Sequence, residues 1–289
     1  MNTTLLSIFL GLGGMIGWGI YDFLGGVFAK QIGPFKSFFW SQLAGLLSIF
    51  LLAIVFTINL NASILVILLS AIAAIIYAAG YLLFFKGFEI GNISIVAATM
   101  NLWAVFTMLF AFIFMGQRLS TIQTVGVLMI ISGATLASLN WSDVRNQGFQ
   151  LSAGVKEAIL GAFFFGVFWN ISEIISEEMG WLFTTLFVKL GIILFLLFFS
   201  FLVKREISLS KATTQTKYML VLMGIIEAGA VALVNFGLTI GDAILIMPIA
   251  SALSIVTITL AIVFLKEKVT KLQGVGIIAA IVGIILTAF

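Results

Sequence analysis

The chain has 289 residues, of which 62% are hydrophobic and only 9% are charged, and it contains neither Cys nor His. Soluble proteins carry about 25% charged residues, so this composition predicts an integral membrane protein. Without Cys and His, disulfides, thiolate chemistry, histidine relays and the usual zinc and haem ligands are excluded, and we expect no metal and no cofactor. The net charge of +3 fits basic loops beside a membrane, so we expect no nucleic-acid partner.

Ten apolar stretches are long enough to cross a bilayer, for which about 20 residues are needed. Their approximate bounds are 5–28, 37–58, 63–87, 92–115, 120–139, 154–176, 181–203, 218–240, 243–265 and 271–289. Unpaired backbone groups are too costly in lipid, so each span is predicted to be helical. The N-terminus lacks a basic region and a cleavage site, so the first span is expected to be retained and not to be a signal peptide. We predict a multi-pass protein of the cell membrane.

The two halves of the chain resemble each other. Residues 236–289 align without a gap on residues 86–139, and 12 of these 54 positions are identical. The matches that are hardest to obtain by chance are four glycines and a glutamine, at Gly87/Gly237, Gly91/Gly241, Gln123/Gln273, Gly126/Gly276 and Gly133/Gly283. The chain is therefore predicted to be a duplication, with a first five-helix repeat at 1–140, a connecting loop at 141–153 and a second five-helix repeat at 154–289.

Five spans per repeat have a geometric consequence. With an odd number, the second repeat enters the membrane upside down, so the fold class is all-α with ten transmembrane helices in two inverted repeats. Substrates of inverted-repeat transporters bind near the midplane, between the repeats. The glycine pairs Gly126/Gly133 and Gly276/Gly283 predict close helix packing, either within the fold or between two copies, so both a monomer and a homodimer are open.

Basic residues are distributed unevenly between the two membrane faces. Of the 14 Lys and Arg residues, 12 follow the odd-numbered spans or flank their ends, Arg118 lies on the opposite side, and Lys189 lies within a span. We refer to these two sides as the lysine-rich face and the opposite face. Because basic loops favour the cytoplasm, this distribution predicts that both termini are outside.

Charges in the middle of a span are costly and therefore point to function. Glu227 lies near the middle of span 8, and Tyr77 occupies the equivalent position of span 3. Lys189 lies inside span 7. Two interpretations are open: a substrate or proton site at Glu227, with Lys189 as a second coupling candidate, or a Glu227–Lys189 pair that only neutralises two buried charges. Tyr81, one turn beyond Tyr77, is a further candidate for the wall of the site.

Spans 1 and 6 each carry an aromatic residue and an acid four residues apart, which places both on one helix face. The pairs are Trp18 with Asp22, and Trp169 with Glu173, and Asn170 is adjacent to the second pair. Such a face can form a pocket wall in which Trp stacks or makes cation–π contacts and the acid binds an ion. Alternatively, the tryptophans anchor their helices at the membrane interface.

Spans 4 and 9 carry neutral polar residues at mid-depth, as does span 8. Asn101 and Trp103 in span 4, Ser251 in span 9 and Asn235 in span 8 are the candidates. Pro248 in span 9 leaves a backbone carbonyl without its usual helical donor, which is useful beside a cavity. Hydrogen bonding between helices is the alternative role, especially for the hydroxyl groups.

Several functional classes are excluded by missing motifs. The chain has no phosphate-binding GxxxxGK[ST] loop, no arginine ladder and no TVGYG-type filter. These absences argue against ATP hydrolysis through a P-loop, voltage sensing and potassium selectivity. Without His and Cys, a nucleophile–base set is not available either, so we expect that the protein is not an enzyme.

The hinge between the last two spans carries a recognisable pattern. Residues Pro248…Phe264-Leu265-Lys266-Glu267-Lys268…Gln273-Gly274-Val275-Gly276…Gly283 resemble the EamA-type members of the drug/metabolite transporter (DMT) superfamily. The first repeat looks like a diverged copy, with Gln117 where the acid usually stands. The resemblance implies a ten-helix inverted-repeat carrier for small metabolites, often driven by proton coupling, exchange or facilitated diffusion. It also implies cytoplasmic termini, the reverse of what the basic residues predict.

The sequence therefore predicts a secondary active transporter that moves a small metabolite, such as an amino acid or a related neutral or zwitterionic solute, by alternating access. Its partners would be the substrate and the lipid bilayer, with protons as a candidate coupling ion. The alternatives are a passive facilitator or channel for small solutes, a sugar uptake carrier, and a membrane scaffold or lipid-handling protein. The hinges are expected to be structural turns at the membrane edge.

Overall fold

A computed structural model describes residues 3–56, 60–90, 99–138, 153–265 and 270–287, and every regular element within them is a helix. Six of these helices, α1 to α3 and α6 to α8, are long and apolar enough to cross a membrane, and shorter apolar helices occupy the other predicted spans. The helices are α1 (Thr3–Ile32), α2 (Pro34–Val55), α3 (Ile64–Ile90), α4 (Leu102–Phe114), α5 (Thr121–Ser138), α6 (Val155–Met179), α7 (Trp181–Val203), α8 (Thr214–Leu238), α9 (Ala243–Ser251), α10 (Leu253–Leu265) and α11 (Lys271–Leu286).

The predicted ninth span is two helices rather than one. α9 contains Pro248 and ends at Ser251, and α10 begins at Leu253 after a turn at Ala252. In the first repeat, α4 begins at Leu102 after a turn at Asn101, the position equivalent to Ser251. Both fourth spans are thus interrupted within one position of the same point. Residues 91–98, at the start of the predicted fourth span, lie outside the described residues, so the count of ten spans stays a prediction.

The first two helices of each repeat are joined by one glycine. Gly33 separates α1 from α2 with a φ of 90°, and Gly180 separates α6 from α7 with a φ of 84°. Side chains with a Cβ rarely adopt positive φ, so glycine permits these sharp reversals. Pro34, at the first turn of α2, costs no hydrogen bond there. The equivalent turns support the duplication seen in the sequence.

Helix packing follows the same repeat relation. α1 and α2 of the first repeat pack on α8 of the second. The equivalent helices of the second repeat, α6 and α7, pack on α3 of the first. α5 and α11, the last helices of the two repeats, pack on each other. This exchange of partners is what a two-fold relation between the repeats produces, and it buries the faces that carry the candidate site residues.

The α5–α11 contact depends on glycine. A Cβ added at Gly133 would lie 2.6 Å from the backbone nitrogen of Ala280 and 2.6 Å from the backbone oxygen of Gly276. At Gly126, an added Cβ would lie 2.7 Å from the backbone oxygen of Gly283. These distances are shorter than van der Waals contact, so the glycines allow the two backbones to approach closely. The predicted glycine packing is therefore found within the fold.

Candidate functional site

A buried ion pair lies between α7 and α8. Lys189 donates from Nζ to Glu227 Oε2 at 2.5 Å, and the two side chains are 2% and 0% exposed. Lys189 Nζ also donates to Gln42 Oε1 on α2 at 3.0 Å. The pairing foreseen as an alternative is thus present. Because an unpaired charge is very costly in a membrane interior, each partner offsets part of the cost of burying the other.

Glu227 is also bound by its counterpart in the other repeat. Tyr77 on α3 donates from its hydroxyl to Glu227 Oε1 at 2.7 Å, and both residues are buried. Residues related by a two-fold axis can touch only near that axis, so this contact marks the centre of the molecule. Both oxygens of Glu227 are therefore engaged, and the cluster of Gln42, Tyr77, Lys189 and Glu227, which we call the central cluster, joins α2 and α3 of the first repeat to α7 and α8 of the second.

Glycines on α2 and α8 bring the members of the central cluster together. An added Cβ at Gly45 would lie 2.9 Å from the backbone oxygen of Gly224 and 3.3 Å from Lys189 Nζ. At Gly224 it would clash with the backbone oxygen of Ser41. The close approach of these two helices allows Gln42 to reach the Lys189 ammonium group.

Three tryptophans from both repeats pack together at mid-span. The ring centroids of Trp18 on α1 and Trp169 on α6 are 5.2 Å apart, and Trp103 on α4 lies 6.2 Å and 6.3 Å from them. All three rings are buried, with 4%, 6% and 1% exposure for Trp18, Trp103 and Trp169. Interfacial anchoring is therefore wrong for Trp18 and Trp169. We call these three residues the tryptophan cluster.

Three of the buried polar atoms that have no hydrogen-bond partner in the described part of the chain belong to this cluster or to residues close to it in the sequence. They are Trp18 Nε1, Nδ2 of Asn101, two residues before Trp103, and Oδ1 of Asn170, next to Trp169. The amide nitrogen of Asn170 is engaged, because it donates to the backbone oxygens of Thr107 and Gly166. Leaving a buried polar atom unpaired costs about 1–3 kcal/mol, so these three atoms make the tryptophan cluster a candidate site for a polar ligand.

Asp22 lies between the two clusters. It is half-buried on α1, one turn beyond Trp18, and within electrostatic range of Glu227 and Tyr81. Among the described residues, no hydrogen bond or ion pair to its carboxylate is formed. Tyr81 packs at 5.0 Å from the Tyr77 ring, so the aromatic wall is continuous with the central cluster. An acid in this position can bind a proton or the cationic group of a ligand.

Glu173 contributes to a closure on the opposite face through one carboxylate oxygen, Oε1, while its Oε2 is buried without a hydrogen-bond partner in the described part of the chain. Its Oε1 accepts from Gln117 Nε2 at 2.8 Å and from the backbone N–H of Ala243 at 2.9 Å. Gln117 Oε1 in turn accepts from the backbone N–H of Ile244 at 3.0 Å. These two side chains satisfy the first N–H groups of α9, where a carboxylate is favoured by the helix dipole. We call the Glu173–Gln117 contact with the α9 N-terminus the latch.

Asn235 and Ser251 make contacts typical of helix packing. Asn235 accepts from Ser172 Oγ and donates to Thr185 Oγ1, both at 2.9 Å, which links α8 to α6 and α7. Ser251 donates to the backbone oxygen of Pro248 at 2.7 Å, within α9. Both side chains are engaged with protein groups, so neither is needed to explain ligand binding.

Two residues of these sites were missing from the sequence-based candidates. Gln42 lies inside span 2, and a polar residue inside an apolar run was a usable signal. Gln117 belongs to a hinge that we expected to be only a structural turn, and nothing in its local pattern indicates contact with Glu173, which is 56 positions away. The hinge is part of a closure between the repeats.

Comparison with known proteins agrees with this architecture. The model of the EamA-like transporter family matches residues 5–139 and 152–289. A solved structure described as "Crystal structure of protein" is similar with a TM-score of 0.78 and 16% identity, covering 97% of this chain and 95% of that chain. At this identity the similarity shows the fold alone. No curated protein matches.

The family matches fall on the two halves that the sequence showed to be duplicated, and together they span most of the chain. A transporter family accounts for the apolar helices, the small-molecule substrate that such proteins carry, and the membrane setting. Enzymatic chemistry is not part of this family's role. The chain belongs to the EamA-like transporter family of the DMT superfamily.

Proposed function

We propose that this transporter is a secondary active carrier that moves a small neutral or zwitterionic metabolite, such as an amino acid, across the cell membrane by alternating access. The observation that carries the proposal is the tryptophan cluster with its three unpartnered polar atoms. It lies at mid-span, where α1 and α4 of the first repeat meet α6 of the second. Ligand sites at the interface of two repeats are typical of carriers.

The chemistry of the tryptophan cluster favours a particular kind of substrate. Trp18 Nε1 and Asn101 Nδ2 are donors that need acceptors such as carboxylate oxygens, and Asn170 Oδ1 is an acceptor that needs a donor such as an ammonium group. The indole rings offer apolar faces to the remainder of the molecule. The buried Lys189 is already paired with Glu227, so phosphorylated compounds, which require free cationic groups, fit poorly.

Glu227 is the proposed coupling residue rather than a substrate ligand. Its two oxygens are held by Tyr77 and Lys189, so a ligand would have to displace one of them. A proton needs much less space and can neutralise Glu227 when its contact with Lys189 is broken. Because the central cluster joins both repeats, such a change would alter how they pack against each other.

Alternating access also requires each face to close in turn. The latch joins the first-repeat hinge, α6 and α9 on the opposite face. A carrier with this face closed exposes its site toward the lysine-rich face, and breaking the latch would reverse the access. An open channel needs no such closure, and this difference favours a carrier over a passive facilitator.

The first experiment identifies the substrate and tests its site. Purified protein is screened by thermal shift against amino acids, sugars and nucleobases, and hits are tested for counterflow in proteoliposomes. Asn101→Ala should raise the substrate concentration at which counterflow is half-maximal by about 10- to 100-fold. This is the effect of losing one or two hydrogen bonds to a charged group of the substrate. Asn235→Ala is the comparison variant, because its side chain already bonds to protein groups. Unchanged counterflow in Asn101→Ala would contradict the proposed site.

The second experiment separates coupling from binding. The double variant Lys189→Met/Glu227→Gln, which leaves neither charge buried alone, should retain counterflow, which needs no driving ion, and lose uptake driven by an imposed pH gradient. A variant that keeps wild-type gradient-driven uptake would rule out Glu227 as the coupling residue. Single-channel conductance of the wild type would instead identify a channel, and a sugar as the only hit would identify a sugar carrier.

A further inference from the structure

A groove lies on the lipid-facing side of the molecule, between α2 and α8, at their lysine-rich ends. Its volume is about 540 Å³. Leu47 and Val221 on its walls are 56% and 48% exposed, although both lie on membrane-spanning helices. Hydrocarbon is the medium that such exposed apolar side chains contact in a bilayer. The residues that line the groove are Trp40, Leu43, Ala44, Leu47, Ser208, Leu209, Ser210, Lys217, Leu220 and Val221.

The mouth of the groove is polar and basic. Ser208 and Ser210 lie in the segment between α7 and α8, and Lys217 lies in the first turns of α8. The indole Nε1 of Trp40 donates to the backbone oxygen of Ile207 at 2.7 Å, which holds this segment over the end of α2. Hydroxyl groups and an ammonium group therefore face the level at which lipid headgroups lie, and the apolar walls continue inward from them.

The charge at this mouth is positive. Residues 204–217 contain four basic residues, Lys204, Arg205, Lys211 and Lys217, and one acid, Glu206. Glu206 binds Lys36 at 2.9 Å, and the hydrogen bond and charge of Lys36 lower the pKa of Glu206, so that it remains ionised and neutralises Lys36. Lys217 is exposed and forms no ion pair among the described residues. The mouth thus lacks an anion.

We propose that this groove binds an anionic phospholipid of the surrounding leaflet, with its phosphate at Lys217, Ser208 and Ser210 and one acyl chain along Leu43, Leu47 and Val221. Basic pockets between membrane helices select anionic headgroups because the negative charge is opposed by several nearby cations. A zwitterionic lipid also carries a cation, which this mouth repels. The apolar walls distinguish the whole lipid from a free phosphate ion, and the inference does not depend on the identity of the transported solute.

The position of the groove gives the lipid a structural role. Leu43 and Ala44 on α2, and Leu220 and Val221 on α8, flank the Gly45–Gly224 contact that brings Gln42 to Lys189. An acyl chain in the groove fills the space beside this contact and holds the two helices in register. Bound anionic lipid should therefore raise the thermal stability of the protein.

Native mass spectrometry of the purified protein tests the proposal directly. The probes are dioleoyl phosphatidylglycerol and dioleoyl phosphatidylcholine, which share acyl chains and differ in headgroup charge. The wild type should bind phosphatidylglycerol at least about fivefold more tightly, the change expected for one added favourable cation–headgroup interaction, and should unfold at a higher temperature with it. Lys217→Gln should remove most of this preference.

A matched variant controls for charge. Lys271→Gln makes the same charge change at an exposed position on the lysine-rich face, outside the groove, and should keep the preference. Val221→Trp fills the groove and should weaken binding of both lipids, which tests the acyl-chain contact separately. Equal binding of the two lipids, or an unchanged preference in Lys217→Gln, would overturn the proposal. Full competition by soluble glycerophosphate would also overturn it, because it would indicate a phosphate site without a lipid.

Discussion

At the scale of single residues, the central cluster shows how a charged group is tolerated inside an apolar bundle. Lys189 and Glu227 pair with each other, Gln42 Oε1 accepts a second hydrogen bond from the ammonium group, and Tyr77 donates to the second carboxylate oxygen. The cost of removing two charges from water is offset only while every partner is present. Tyr77 and Glu227 occupy equivalent positions in the two repeats. They differ in chemistry, and the Tyr77 hydroxyl donates to the Glu227 carboxylate.

Removing one charge of this pair should destabilise the protein more than removing both. Lys189→Met leaves the Glu227 carboxylate buried without a cation, at a cost of about 3–5 kcal/mol in the free energy of unfolding. In the double variant Lys189→Met/Glu227→Gln neither charge remains, so most of the stability should return. Chemical denaturation in detergent measures the difference. Lys271→Met, at an exposed position, is the control, and equal losses in the single and double variants would contradict the prediction.

At the scale of helices, glycines determine which elements can approach each other. Gly126 and Gly133 allow α5 to pack on α11, and Gly45 and Gly224 do the same for α2 and α8. The latch adds a polar closure to this apolar packing, because Glu173 and Gln117 provide acceptors for the first N–H groups of α9. Close packing and helix-end hydrogen bonds thus act on different helix pairs.

Two glycine-to-alanine substitutions should have opposite effects. Gly133→Ala places a Cβ 2.6 Å from backbone atoms of α11, and overpacking of this kind costs about 1–3 kcal/mol. Gly274→Ala, on α11 itself, adds a Cβ with nothing within 4 Å, and its higher helix propensity should stabilise by up to about 1 kcal/mol. Thermal unfolding in detergent compares them. A stability unchanged by Gly133→Ala would show that α5 and α11 can separate at no cost.

The latch should have to open for transport. The chain contains no Cys, so Gln117→Cys/Glu173→Cys can be linked selectively with a short bifunctional thiol reagent. Linking these positions should hold the opposite face closed and reduce counterflow to background, while substrate binding from the lysine-rich face persists. The two single-cysteine variants, treated in the same way, control for modification alone. Full counterflow after complete linkage would show that the latch does not move.

At the scale of the whole molecule, the central cluster, the tryptophan cluster and the latch each join residues of both repeats. Tyr77 bonds to Glu227 across the centre, and Trp18 and Trp103 of the first repeat pack on Trp169 of the second. Two similar units that pack in alternative ways give a carrier its two conformations. The latch joins the two repeats on the opposite face, and on the lysine-rich face they are joined by the Lys36–Glu206 ion pair and by the hydrogen bond from Trp40 to Ile207.

The distribution of basic residues predicts the orientation of the molecule. The ten predicted spans assign 12 of the 14 Lys and Arg residues to one face, so that face should be cytoplasmic and both termini should lie outside. A reporter that works only outside the cytoplasm should therefore be active when it is fused to the C-terminus. A cytoplasmic reporter that is active at the same position would reverse the orientation, as the family resemblance implies.

Much of the fold follows from the sequence because its signals are local. Long apolar runs predict helices, and aligned glycines at a fixed offset predict a duplication. The same reasoning selected Glu227, Lys189 and the tryptophans, since polar or bulky groups stand out in apolar spans. It did not predict the break at Ala252 or the role of Gln117. A helix break at mid-span and a contact across 56 positions depend on packing against other helices.

By itself, the sequence determined that this is a duplicated helical membrane protein and that a few mid-span polar residues need partners. Only the tertiary structure decided which partners they have: Lys189 for Glu227, Gln117 for Glu173, and none for Trp18 Nε1, Asn101 Nδ2 and Asn170 Oδ1 among the described residues. Burial costs can be estimated residue by residue from a sequence. Pairing depends on where helices cross, and that is set by the close contacts of glycines far apart in the chain.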